Sequence, residues 1–157
     1  MTKYNIRDNK KEPAHYTTLV NPKTMDKMRD QIFSIIVTQG KYRDKHYSAK
    51  QLAQDLMTNT RYVSAVINVK FGMNYASFVN HYRVKDAVAI LSNPKHLDLR
   101  MQDISDMVGF ANRQSFYAAF YKFNHMTPRD YKMKYLLGKT KEAEKEKNSK
   151  GNKNSQE

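Results

Sequence analysis

Two arginines stand near the start of short helical patterns, where their side chains could bind the edges of nucleic-acid bases. Arg61 follows one polar turn sequence, and Arg113 follows another together with Gln114. An arginine guanidinium can donate two hydrogen bonds to guanine O6 and N7, and a glutamine amide can pair with adenine N6 and N7. This chemistry requires helices that expose one face to the base edges and bury the opposite face.

The elements that could position these side chains are helical. Apolar residues recur at helical spacing through most of the chain. Ser48, with Gln51 three residues on, predicts the start of a short helix as a capping box, and Asn59 predicts the start of the next helix. Asn93 and Pro94 predict the end of a long helix. We therefore predict an all-α fold with seven helices.

One supersecondary unit occurs twice. Its first helix matches the copy at an offset of 52 residues and its second helix at 53, so the turn between them differs by one residue. The matching segments are Leu52-Ala53-x-x-Leu56 with Ile104-Ser105-x-x-Val108, and Val66-Ile67, Met73 and Phe78 with Ala119-Phe120, Met126 and Tyr131. A short helix, a tight turn and a second helix form a helix-turn-helix. The pattern predicts two helix-turn-helix subdomains joined by a long linker helix.

The second helix of each unit should bury its apolar stripe and present polar residues outward. We expect base readout from Arg61, Ser64 and Ala65 in the first unit, where Asn68 shares the face, and from Arg113, Gln114, Tyr117 and Ala118 in the second. We expect phosphate contacts from Asn59, Lys70, Arg83, Asn112, Lys122 and Arg129. The alternative is that all of these are solvated residues on ordinary helical hairpins.

The charge balance indicates a polyanionic partner. The chain has 28 Lys and Arg against 15 Asp and Glu, a formal net charge of +13, of which +8 falls in residues 25–137. A folded part with such an excess favours nucleic acid as a partner. A surface that only keeps the protein in solution would show the same balance.

We predict three regions along the chain. They are a flexible N-terminal arm at 1–24, a DNA-binding domain at 25–137 and a charged disordered tail at 138–157. Within the domain, the first unit covers about 25–73, the linker helix about 74–93 and the second unit about 94–137.

Other functions find little support in the sequence. The absence of cysteine excludes disulfides and thiolate metal sites, and no histidine pair has metal-ligand spacing, so we expect no metal and no cofactor. No nucleophile lies beside a base in sequence, so we expect no enzyme. Tyr75, Phe78 and Tyr82 could stack on bases, but their helical spacing favours core packing. No apolar run could cross a membrane, and we expect a cytoplasmic, nucleoid-associated protein.

The stretch from Tyr47 to Lys132 resembles the DNA-binding domain of the AraC/XylS family of bacterial transcriptional regulators. The motifs that carry the resemblance are Val108-Gly109-Phe110, Phe116, Phe120-Tyr121-Lys122 and Met126-Thr127-Pro128-x-x-Tyr131. The resemblance implies a sequence-specific regulator that binds double-stranded DNA, with two recognition helices in adjacent major grooves on one DNA face. It also implies that a monomer can bind DNA, and we expect RNA polymerase as a further partner.

The sequence departs from the family pattern at three places. Ala65 and Ala118 stand where members often carry a long basic side chain, although alanine can still contact a thymine methyl group. Met57 occupies the turn position that Gly109 fills in the second unit, so the first turn should be strained or different. Residues 1–24 are too short for the separate ligand-binding domain of many members, so we expect no effector-binding domain in this chain.

Two alternative functions remain open at this point. The chain could be an architectural or replication-associated DNA binder with no role at promoters. It could also be a protein-interaction module whose basic surface meets an acidic partner.

Overall fold

The computed structural model describes residues 21–151, and all regular structure within this range is helical. The helices are α1 (Pro22–Phe33), α2 (Ala49–Asp55), α3 (Thr60–Phe71), α4 (Tyr75–Leu91), α5 (Met101–Met107), α6 (Arg113–Asn124) and α7 (Pro128–Gly151). A π-helical turn at Ser34–Thr38 extends α1, and short 3-10 turns lie at Lys41–Arg43 and Pro94–His96. For the part of the chain that the structure describes, the prediction of an all-α fold with seven helices is confirmed.

Both ends of this helical region reach further than the sequence pattern predicted. Asn21 accepts a hydrogen bond from the Lys23 amide and starts α1, so residues 21–24 of the predicted arm begin a helix. At the other end, α7 continues through residues 138–151 of the predicted disordered tail. Lysine, glutamate and alanine there are good helix formers, and opposite charges recur three residues apart. The rest of the arm and of the tail lies outside the described residues.

The described chain forms two compact units with boundaries that the sequence did not indicate. The first unit comprises residues 21–39 and 47–78, and the second comprises 40–46 and 79–151. Most of α4, predicted as a linker between the units, thus belongs to the second unit. The second unit also takes in a short segment that precedes α2 in the sequence.

The first unit buries one face each of α1, α2 and α3. Val63, Val66 and Ile67 on α3 are fully buried, as their spacing predicted. The buried side chains contributed by α1 and α2 are Met25, Ile32, Leu52 and Ala53. The start of α2 is held by the Ser48 hydroxyl, which accepts from the Gln51 amide at 3.2 Å. The Gln51 side chain bonds Asp55 rather than the Ser48 backbone, so only one half of the predicted capping box forms.

The second unit has an aromatic core. Phe116 lies at its centre, with ring centroids 5.4 Å from Phe110 and 5.8 Å from Phe120. The other buried members of this hydrophobic cluster are Val84, Ala87, Leu91, Ile104, Val108 and Ala119. Each fully buried aromatic or aliphatic side chain of this kind contributes about 1.5–3 kcal/mol relative to its exposed state, so this core fixes the orientation of α6.

Charged side chains hold the segment 40–46 against α4. Arg83 donates from Nε to the Tyr42 carbonyl at 2.5 Å and from Nη2 to the Asp44 carbonyl at 3.3 Å. Asp86 accepts from the Tyr42 hydroxyl and from Arg43 Nε, both at 2.7 Å. Burial and the hydrogen bond to Asp86 raise the pKa of Tyr42 to about 12. The phenol therefore stays a neutral donor to this carboxylate at neutral pH.

Gly109 lets the same segment approach the core. Its φ of +97° lies in the region that favours glycine, and a Cβ at this position would lie 2.3 Å from the Arg43 carbonyl oxygen. Two separate reasons, backbone conformation and space, thus require glycine here.

Candidate nucleic-acid interface

The same two-helix arrangement occurs in both units. The first helix has seven residues in α2 and in α5, and the second has twelve residues in α3 and in α6. The connecting turns span residues 56–59 and 108–112, so the second turn is one residue longer. The predicted repeat and its change of offset in the turn are confirmed.

Matching residues start and end the second helix of each unit. The side-chain oxygens of Asn59 and Asn112 each accept a hydrogen bond, at 2.8 Å, from the backbone amide three residues on. Both helices end on a residue with left-handed backbone, Gly72 at φ +68° and His125 at φ +56°. An asparagine N-cap is among the most stabilising choices at a helix start, so both helix starts are fixed by local sequence.

The turns of the two units differ, as the presence of Met57 in place of a glycine predicted. Met57 adopts φ +51° although it is not a glycine, and its side chain is 94% exposed. Gly109, at the equivalent place, is buried against the segment 40–46. The first turn can therefore carry a side chain, at some cost in backbone strain, whereas the second has no space for one.

The outer face of α3 carries the residues predicted to read bases. Arg61 and Ser64 are exposed and Ala65 is half-buried, while the opposite face lies in the core. Asn68 is exposed one turn further along. The side chains on this face are mainly polar, which suits hydrogen bonding to base edges.

The outer face of α6 is more aromatic. Gln114 and Ala118 are exposed, and Tyr117 is half-buried with its ring edge-on to Phe116. Tyr121 is 57% exposed on the same face and is not among the residues that the sequence predicts to read bases. The offset of 53 residues pairs it with Asn68 of the first unit, so the repeat alone could have placed Tyr121 on this face.

Arg113 occupies a different register from Arg61. The 53-residue offset pairs Arg61 with Gln114, so that Arg113 corresponds to Thr60, the first residue of α3. The Arg113 guanidinium lies over the Tyr117 ring, 5.7 Å from its centroid. The stacking holds the cation at the side of this outer face.

The six predicted phosphate-contacting residues fall into three groups. Asn59 and Asn112 are exposed helix caps. Lys70 pairs with Asp26 at 2.6 Å, and its hydrogen bond lowers the pKa of that carboxyl group. Arg83 donates to backbone carbonyls within the second unit and lies over the Phe110 ring. Only Lys122 and Arg129 combine a positive charge with an exposed position.

The three aromatic residues considered as a base-stacking platform contact protein groups. Phe78 is buried and packs on Phe71 with centroids 4.4 Å apart. The Tyr75 hydroxyl donates to the Tyr47 carbonyl, and the Tyr82 ring lies 5.8 Å from that of Tyr42. These contacts favour the core-packing interpretation.

Two features of residues 21–151 bear on metal binding and on membranes. Within that range no group of three or more His, Asp or Glu side chains could hold a metal ion. No helix in the described part of the chain is long and apolar enough to span a membrane.

The paired helices, their outer faces and the basic balance define a helix-turn-helix DNA-binding protein. A family model described as a helix-turn-helix domain matches residues 52–134. An uncharacterised helix-turn-helix-type transcriptional regulator from Bacillus subtilis, YtdP, is 27% identical over 82 residues, which cover 52% of this chain and 10% of that protein. The chain belongs to the AraC-type family of DNA-binding transcriptional regulators. It spans only a tenth of the length of this relative.

Solved structures share the fold. The C-terminal domain of the response regulator YesN from Fusobacterium nucleatum is 24% identical with a TM-score of 0.59, over 66% of this chain and 96% of that one. An AraC-type DNA-binding domain protein from Chromobacterium violaceum is 15% identical with a TM-score of 0.57, over 73% and 96% of the two chains. At these identities the likeness shows the fold alone.

Proposed function

We propose that this protein is a sequence-specific regulator of transcription that places α3 and α6 in successive major grooves of double-stranded DNA. The observation that carries the proposal is the repeated helix-turn-helix, with two second helices of equal length joined through the continuous helix α4. In this motif the second helix lies in the major groove and its outer residues contact base edges.

The base-reading residues follow from the outer faces. Arg61 can donate a bidentate pair to guanine, and Gln114 can pair with adenine. Ser64 can bond to several base edges, while Ala65 and Ala118 suit thymine methyl groups. In the second unit, Tyr117 presents a hydroxyl group and an aromatic ring to the DNA major groove that α6 enters. Each unit should therefore recognise a distinct set of bases.

Backbone contacts should come from the ends of the same helices. The amino termini of α3 and α6, capped by Asn59 and Asn112, carry partial positive charge that attracts phosphate. Lys122 and Arg129 add full charges. Lys70 and Arg83 bind protein groups instead, and we assign them structural roles.

One chain holds both reading helices, so a monomer is able to occupy a site. RNA polymerase at the promoter is the expected protein partner, and the bacterial cytoplasm, at the nucleoid, is the expected place of action. No catalytic step is needed for any of these roles.

A footprint on a site selected from random DNA tests the proposal. We expect one monomer to protect two segments about 10 bp apart in the same orientation, because the chain carries two copies of the motif in the same sequence direction and successive major grooves lie one helical turn apart. An inverted site that only a dimer occupies would contradict the arrangement. Equal binding to all sequences would favour an architectural DNA binder.

The affinity should also fall steeply as salt increases. Each Lys or Arg that meets a phosphate releases a counterion, and the plot of log affinity against log salt gains a slope of about −0.9 for each phosphate contacted. We expect a slope steeper than about −3 on either specific or scrambled DNA. A slope near zero in a fluorescence-anisotropy titration would be incompatible with phosphate contact by this basic surface.

A further inference from the structure

A cleft of about 430 Å³ opens in the second unit where the starts of α5 and α6 meet α7. Four cationic side chains line it: Arg100, Arg113, Arg129 and Lys132. Tyr117 of the reading face forms part of the same wall. The cleft therefore adjoins the surface that we propose to read bases.

Two of the four cations are held in place by protein groups. Arg100 donates from Nε and Nη2 to the two carboxylate oxygens of Asp103, at 3.0 and 2.9 Å. These hydrogen bonds keep the pKa of Asp103 below its usual value, so the carboxylate stays charged. The Lys132 ammonium donates to the backbone carbonyls of Leu97 and Leu99. Carbonyl groups fix its position without neutralising its charge.

The other two cations have no carboxylate partner within the described residues. Arg113 stacks on Tyr117, and Arg129 is exposed on the first turn of α7. Asp103 offsets one of the four charges, which leaves an excess of three positive charges around the cleft. An excess of this size, with two guanidinium groups available for bidentate bonding, suits a phosphate group.

We propose that this cleft holds a phosphate group, and that Arg113 and Arg129 are the residues that bind it. The natural source is the DNA strand beside the bases that α6 reads, and in this respect the inference rests on the proposed function. A small phosphorylated compound has the same chemistry and would compete with DNA for the cleft. Whether the phosphate belongs to DNA or to a small compound, Arg113 binds the phosphate. Gln114 then occupies the base-reading position that is equivalent to Arg61.

The first arm of the test compares Arg129→Gln with Lys134→Gln. Both variants remove one positive charge from α7, but Lys134 lines a different groove. We expect Arg129→Gln to weaken binding about three- to tenfold on selected and scrambled duplexes alike, and to reduce the salt slope by about one. Arg113→Gln should act in the same way, and Lys134→Gln should change neither quantity. Far-UV circular dichroism and a melting curve check that each variant is folded.

The second arm removes the charge from DNA. Methylphosphonate links are placed one at a time along the segment that α6 protects. One position should weaken the wild-type complex more than the Arg129→Gln complex, because the variant has already lost one of the two arginines that the phosphate would meet. Equal losses for both proteins at every position would exclude the DNA strand as the source.

The third arm uses inorganic phosphate and protein without DNA. Nuclear magnetic resonance of arginine Nε–H groups should show phosphate-dependent shifts at Arg113 and Arg129, and Arg129→Gln should reduce the shift at Arg113. Such shifts, combined with unchanged DNA affinity in the variant, would identify a soluble phosphorylated compound as the occupant. If none of the three arms gives the expected response, the cleft does not bind phosphate. If the wild-type chain fails to bind DNA at all, the proposed function fails, and this arm alone decides the cleft.

Discussion

Replacing Gly109 by alanine should lower the free energy of unfolding by about 2–6 kcal/mol. A non-glycine residue at its φ of +97° costs about 1–3 kcal/mol, and overpacking in a close-packed interior adds a similar amount. Here the added Cβ would lie 2.3 Å from a backbone oxygen, which cannot move aside as a flexible side chain would. Urea denaturation followed by circular dichroism measures the loss, which is a large share of the total stability of a small domain.

The equivalent position in the first unit supplies the matched control. Met57 already has a positive φ and an exposed side chain, so Met57→Gly relieves strain without opening a cavity. We expect this variant to be unchanged or up to about 1 kcal/mol more stable. If Gly109→Ala were tolerated as well as a substitution at position 57, the close approach of the segment 40–46 to this turn would be wrong.

Replacing Arg61 or Gln114 by alanine should reduce affinity for the selected site by about 1–3 kcal/mol and have a smaller effect on scrambled DNA. The reason is that a bidentate side chain is satisfied only by the correct base. Lys122→Ala, which removes a charge from an exposed position on α6, should weaken both duplexes equally. Anisotropy titrations of each variant on both duplexes, at one salt concentration, give the specificity ratios.

The ratio, rather than the affinity, decides the assignment. A ratio that is unchanged for both Arg61→Ala and Gln114→Ala would show that neither side chain reads a base, even if binding weakened. A ratio that fell for Arg113→Ala but stayed constant for Gln114→Ala would instead restore the reading role that the sequence first assigned to Arg113. The sequence prediction assigns base reading to both Arg113 and Gln114, so the two assignments predict opposite outcomes for Arg113→Ala and the same outcome for Gln114→Ala.

Local signals predicted most of the helices well. Asn59 and Asn112 mark helix starts because their side chains bond a nearby amide, and that interaction depends on only three residues of sequence. The buried stripes on α3 and α6 follow from helical periodicity alone. The repeat then related the two units position by position.

Long-range packing could not be predicted in this way. Its positive charge predicts that Arg83 contacts a DNA phosphate. Its hydrogen-bond acceptors are instead backbone carbonyls of the segment 40–46, about forty residues away in the sequence. Lys70 likewise pairs with Asp26 on another helix. A charged residue has one appearance in sequence whether it meets solvent, phosphate or a carbonyl group, so only three-dimensional neighbours separate these roles. The base-reading residues themselves remain predictions.

The position of the segment 40–46 in the sequence sets the order in which its contacts can form during synthesis. It leaves the ribosome ahead of the whole first helix-turn-helix, while its partners Arg83, Asp86 and Gly109 emerge later. During synthesis Arg43 therefore cannot pair with Asp86 until α4 has been made, and it cannot pack against Gly109 until the turn at residues 108–112 has been made. The two copies of the repeat are thus not interchangeable modules, and a fragment that begins at residue 79 would leave Asp86 without its tyrosine and arginine donors.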